Sequence, residues 1–294
     1  MSEENVEAQE PVSPAPPDTA VTPDSDKEIE AKRSSRFLFR KVWFLVGIIL
    51  CVIFAFVAQA YNRYRAEEDK ITCLNRHKQL GIAMHNYSDC YRGYLPPAYS
   101  MDEQGNRLLP WRVLALPLIV CPHCWGMEDL DYNASWQSPA NSKYKFHHSG
   151  LFTCPATAKK GVTNDDVREG DAVRLGDGWI RVREKNQHWC LYRVVVGEGT
   201  AFPGNKPLKF EDIKDGLANT IFAVECKRPI CWMDPNHEMP LETALLGVNK
   251  VDDGISSYHQ GGAYVLMGDG SVRFLPDSTT PEELRHLLLI ADGK

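Results

Sequence analysis

Between Val42 and Ala60 the chain runs through nineteen residues, VWFLVGIILCVIFAFVAQA, without a single charge. Gln59 is the only strongly polar side chain among them. As a helix this run extends about 28 Å at about 1.5 Å per residue, enough to cross a hydrocarbon core. A buried core helix is the competing reading, but the run is long and Lys32, Arg33, Arg36, Arg40 and Lys41 lead directly into it. Residues 42–60 are therefore read as a transmembrane helix.

The flanks give the anchor an orientation. Five basic residues precede the run, and three, Arg63, Arg65 and Lys70, follow it. The positive-inside rule then keeps the N-terminus in the cytoplasm and places the C-terminal domain on the periplasmic side of the cytoplasmic (inner) membrane. Met1–Glu30 is rich in Glu, Asp, Pro, Ser and Ala and nearly free of large apolar residues. Such a stretch buries too little surface to offset the entropy of ordering, so residues 1–35 are read as a disordered cytoplasmic head. A secretory signal would begin basic and end on a small-residue cleavage site; this head is acidic, which predicts an uncleaved anchor.

Beyond Tyr61 the sequence becomes charged but the helical pattern persists. Ile71, Leu74, Leu80, Ala83, Met84 and Tyr87 fall largely on one face. One long helix is expected, its first half in lipid and its second half laying an apolar stripe on a folded domain. Gly93, Pro96 and Pro97 end it. Residues 61–294 are enough for one domain with a core. Arg107–Val120 is expected to form a short helix broken by Pro117. From Gly178 the character turns to strand: Trp179–Arg183 and Leu191–Val196 alternate, and Ile221–Glu225 is an apolar strand ending on an acid. Gly262–Met267 and Ser271–Leu275 flank Gly268-Asp269-Gly270, a tight-hairpin signal. Thr280–Ile290 starts like a helix, with Pro281 and two Glu in its first turn. The fold class is α+β: a long N-terminal helix, then an antiparallel β-sheet.

Net charge is −6, and the sequence lacks the basic patch that nucleic acid requires. Of nine cysteines, eight lie beyond the span, a number that suits pairing in an oxidising compartment. The sharpest local motif is Cys121-Pro122-His123-Cys124. Cys154, followed by Pro155, repeats its Cys-Pro half, with His147 and His148 just before. Three chemistries compete for this set. A disulfide within the cluster ranks first, since exported thiols oxidise. Zinc held by Cys121, Cys124, Cys154 and His147 ranks second. Thiol-disulfide catalysis by Cys121 and Cys124 ranks third, because no βαβ pattern surrounds them. The expected state is without a cofactor, with zinc as the alternative.

His259 and Asp269 invite a reading as a metal or acid–base pair. The simpler reading is that Asp269-Gly270 makes the turn while His259 hydrogen-bonds nearby backbone. Glu225, Asp234, His237 and Glu238 form a second polar group around Pro235, read as a loop. No nucleophile elbow, phosphate loop or HExxH is present, so no catalytic residue is assigned.

Several segments together resemble a large group of pilin-like (type II secretion pseudopilin-like) proteins of unknown function, abundant in planctomycete bacteria. They are Cys73–Tyr87, Tyr94-Leu95-Pro96-Pro97, Trp111–Leu114, Phe152-Thr153-Cys154-Pro155, Val195–Gly204 and Asp215–Ile221. After these comes the family's signature, a His, nine residues, then Asp-Gly, here His259 to Asp269 and Gly270. The resemblance covers roughly Arg63 to the C-terminus. It implies a pilin-like fold and a structural or interaction role in the envelope, with lipid and other pilin-like or envelope proteins as partners. One departure stands out. Prepilins open their apolar helix with a Gly-Phe-Thr-x-x-Glu type motif, whereas this chain reads Arg36-Phe37-Leu38-Phe39-Arg40-Lys41, with no acid between Lys41 and Ala60. Processing and fibre assembly are therefore not expected.

Overall fold

The computed structural model describes residues 23–119, 127–146, 150–155, 173–175, 178–180 and 189–293. The chain forms two compact units, Met1–Arg63 and Tyr64–Lys294. The first is dominated by α1, which spans Pro23–Cys90. It begins inside the stretch read as a disordered head, where Lys32 Nζ lies 3.1 Å from Glu28 one turn away. Every residue from 37 to 57 is exposed. A helix apolar all round and uncovered by protein is suited to lipid, where its backbone groups are satisfied internally. It is long and apolar enough to cross a membrane, as a single-pass anchor requires.

The second unit is α+β. In chain order its strands are β1 (Tyr99–Met101), β2 (Arg107–Pro110), β3 (Val173–Leu175), β4 (Gly178–Ile180), β5 (Trp189–Arg193), β6 (Val195–Val196), β7 (Ile221–Cys231), β8 (Met239–Pro240), β9 (Gly262–Met267) and β10 (Val272–Pro276). Short helices α2 (Trp111–Ala115), α3 (Leu241–Ala244) and α4 (Pro281–Leu288) lie between and after them. The central sheet has the order β10-β9-β7-β5 and is antiparallel throughout.

Strand alternation sends successive side chains to opposite faces, and this sheet buries both. Ala263, Val265 and Met267 of β9 join Val224 and Cys226 of β7 in one cluster, closed by Leu284 and Leu288 of α4. Leu266 and Phe222 belong to the other cluster, with Leu80 and Met84 of α1. Close approach on this second face needs a glycine: a Cβ on Gly81 would sit 3.1 Å from Gly270 Cα and 3.1 Å from Leu266 Cδ1. His85 Nε2 then donates to Gly268 O at 2.8 Å, fastening the helix to the hairpin turn.

Three expectations change. The inward stripe of α1 excludes Ile71, which is 52% exposed; Cys73 and His77 are fully buried and align with Leu80 and Met84 at helical spacing. The first residues of the Arg107–Val120 segment form β2, paired with β1, and the helix begins only at Trp111. Pro110, without an N–H and in extended conformation, is where the strand hands over to α2. The strand read as ending at Glu225 continues to Cys231, so the acid sits mid-strand.

Candidate functional site: a buried thiol, imidazole and carboxylate cluster

Four donors from four separate parts of the chain converge on the helix-facing side of the sheet. Cys73 comes from α1. Glu225 comes from β7, where the pleat turns it opposite to Val224 and Cys226. Cys154 follows a 3₁₀ turn at Gly150–Phe152, and His259 lies in the segment leading into β9. Their ligand atoms, Sγ, Sγ, a carboxylate oxygen and an imidazole nitrogen, all lie within 4.8 Å of one another. Cys73 Sγ donates to Glu225 Oε1 at 2.7 Å. Cys154 Sγ is 3.4 Å from His259 Nε2, and that nitrogen is 3.9 Å from Glu225 Oε1.

A surrounding layer fixes each member. Tyr192 lies opposite Glu225 in register, and its hydroxyl is 3.4 Å from Cys73 Sγ. The Tyr264 amide donates to Glu225 Oε2 at 3.1 Å, and the Tyr264 ring meets His259 edge-on at 5.0 Å. Arg76, one helical turn along from Cys73, donates to Thr153 O and, at 3.1 Å, to Thr153 Oγ1, clipping the Cys154 loop to α1. His77 Nδ1 lies 3.0 Å from Cys73 O, and its ring packs edge-on against Tyr192 at 4.6 Å.

The protonation states follow from this packing. The hydrogen bond with Cys154, then burial and the Glu225 carboxylate, push the Cys73 thiol far above its ordinary value, so it keeps its proton. The same hydrogen bond, against burial and with help from His259, brings Cys154 down to about 7. Burial opposes charge on His259, yet Cys154 and Glu225 beside it leave its pKa above the ordinary imidazole value. Burial lowers His77 and raises the Tyr192 hydroxyl, so both stay neutral.

The chain matches, over residues 70–238 and 247–282, the family described as Protein of unknown function (DUF1559). It belongs to that family. All four cluster residues fall within the stretches matched by DUF1559. No curated protein and no solved structure matches the chain.

The structure sorts the sequence candidates unevenly. Cys121, Cys124, His147 and His148 lie outside the described residues. Cys154 is described, and its neighbours are Cys73 and His259. The His259 ring packs beside Tyr264 of β9, whereas Asp269 lies beyond the far end of that strand, in the turn to β10, so they do not form a pair. Asp269-Gly270 makes the β9–β10 turn: Gly270 has φ +81° and its amide donates to Met267 O at 3.0 Å. His259 faces a thiol rather than backbone carbonyls. The polar group around Pro235 also divides. Asp234 pairs with His237 at 2.8 Å, and Glu238 binds Arg112 at 2.6 Å with both fully or almost fully buried. Sequence reading missed Cys73 and Glu225 as site residues. The spacing Cys73, His77, Leu80, Met84 is the one signal that placed a thiol on the inward face. Other thiols are spent on backbone: Cys190 Sγ donates to Tyr192 O at 3.0 Å and Cys226 Sγ to Asp252 O at 3.1 Å.

Proposed function

We propose that the chain is a single-pass, membrane-anchored, pilin-like envelope protein with a structural or interaction role. Its head is cytoplasmic and residues 61–294 lie on the far side of the cytoplasmic membrane. The observation that carries this reading is α1. Its exposed, uniformly apolar stretch suits lipid, while its later turns bury Leu80 and Met84 in an antiparallel-sheet unit. Partners of this reading are membrane lipid and other pilin-like or envelope proteins, as in a type II secretion-like assembly, and nucleic acid is not among them. A disulfide among the exported cysteines fits the same compartment.

A reporter fused after Lys294 tests the topology. It is expected to be active only when that end lies outside the cytoplasm, and cytoplasmic activity overturns the orientation. Disulfide-reductase activity that disappears in Cys121→Ser would replace the structural role with an enzymatic one.

A further inference from the structure

We infer that Cys73, Cys154, Glu225 and His259 form a structural site for a divalent metal of the zinc class, closed by four protein ligands. The inference rests on the second unit alone and is independent of the membrane reading. Zinc takes thiolate, imidazole and carboxylate ligands at about 2.0–2.3 Å in a tetrahedron, which sets its donor atoms roughly 3.3–3.8 Å apart. Three of the six donor separations are 2.7, 3.4 and 3.9 Å, on either side of that range, and all six lie within 4.8 Å. Small rotamer adjustments of Cys73 and Glu225 admit the ion, whose binding displaces the two thiol protons to solvent.

Three features favour a metal over the alternatives. The first is charge. Glu225 is 2% exposed, and His259 is its only ion-pair partner among the described residues. As a metal ligand the imidazole is neutral, and the divalent ion takes over as the cation beside this buried carboxylate. The second is the fate of the other two donors. A Cys73–Cys154 disulfide would remove the thiol proton that Glu225 accepts, leaving a buried acceptor short of a donor. The third is the outer layer. Metal sites hold their ligands by further hydrogen bonds, and here the Tyr264 amide orients Glu225, the Tyr192 hydroxyl reaches Cys73, and Arg76 fixes the loop of Cys154. With four protein donors and no open position, the site is structural rather than catalytic. It pins α1, the Cys154 loop, β7 and the approach to β9 at one point.

The test uses the full chain in detergent. Under reducing conditions with chelator the protein is stripped, then refilled with cobalt(II). The expected result is about one cobalt per chain, with the visible bands of four-coordinate cobalt and a near-ultraviolet thiolate-to-cobalt absorption. This measurement needs no variant. Cys154→Ser and His259→Gln are each expected to weaken cobalt binding at least tenfold, and Cys121→Ser with Cys124→Ser to leave it unchanged. Stripping the metal should lower Tm by about 5 °C or more, since an ion that binds only the folded state stabilises it by mass action. The assignment is overturned by absence of the thiolate absorption, or by its loss in the Cys121/Cys124 variant. It is equally overturned if peptide mapping of protein isolated without reductant finds Cys73 and Cys154 joined.

Discussion

At the residue scale, the most demanding buried charge outside the thiol cluster is Arg112. Its side chain is fully buried and donates from Nε to Trp232 O at 2.9 Å, from Nη1 to Glu238 Oε1 at 2.6 Å and from Nη2 to Asp234 O at 3.0 Å. Glu238 in turn accepts from Trp111 Nε1 at 3.3 Å and from the Val194 amide at 3.0 Å. Arg112 Nη1 also reaches Tyr192 O at 3.4 Å, so the guanidinium joins α2, β5 and the chain after β7, using a fork geometry that lysine cannot reproduce. Removing one partner of a buried pair leaves an uncompensated charge and costs about 3–5 kcal/mol. Exposed pairs such as Lys32–Glu28 contribute about 0–1 kcal/mol. Arg112→Ala is therefore expected to lower unfolding free energy by about 3–5 kcal/mol in a denaturant titration. A loss within the range of an exposed pair would refute the network reading.

At the element scale, the β9–β10 hairpin serves as the seat for α1. Its turn is set by local chemistry: Asp269 Oδ1 accepts the Ser271 amide at 2.9 Å, and Gly270 occupies the left-handed region at φ +81°. A Cβ there meets nothing within 4 Å, so the penalty for substitution is conformational rather than steric. For a β-branched residue it is about 1–3 kcal/mol. Gly270→Val should lower Tm by roughly 3–10 °C, read by thermal unfolding of the full chain. An unchanged Tm would mean that the turn relaxes without cost. Helix α4 is similarly local in origin: Thr280 Oγ1 accepts from the Glu283 amide at 3.2 Å, and Glu283 Oε2 accepts from the Thr280 amide at 2.7 Å.

At the largest scale, the proposed membrane reading makes a prediction about the anchor. The approach to the apolar stretch, Arg36-Phe37-Leu38-Phe39-Arg40-Lys41, has no Gly ahead of Phe37, and no acid lies between Lys41 and Ala60. A neighbouring subunit in the membrane would find no carboxylate in this stretch to pair with. The anchor should remain intact. Mass spectrometry of membrane-extracted protein is expected to find peptides from Met1–Arg33 still attached, and a mature N-terminus near Phe37 would overturn this.

Features governed by short-range physics are legible in the residue order. The apolar run specifies a helix fit for lipid because nineteen consecutive side chains carry the signal. Asp269-Gly270 specifies a hairpin because a left-handed turn selects glycine. Thr280, Pro281 and Glu283 specify a helix start because Thr280 and Glu283 bond its first amides and Pro281 has no amide to leave unpaired. Which side chains meet as a chemical site is instead set by packing between distant segments. Cys73 and Glu225 are 152 positions apart and Cys154 and His259 are 105, and no periodic pattern records such contacts. They arise when α1 docks on the sheet through Gly81 and His85, which rotates Cys73 inward and leaves Ile71 outside. The β7 pleat then turns Glu225 toward it, and Arg76 draws in the Cys154 loop. Each step depends on packing between distant segments, so the donors become a site only once the fold has closed around them.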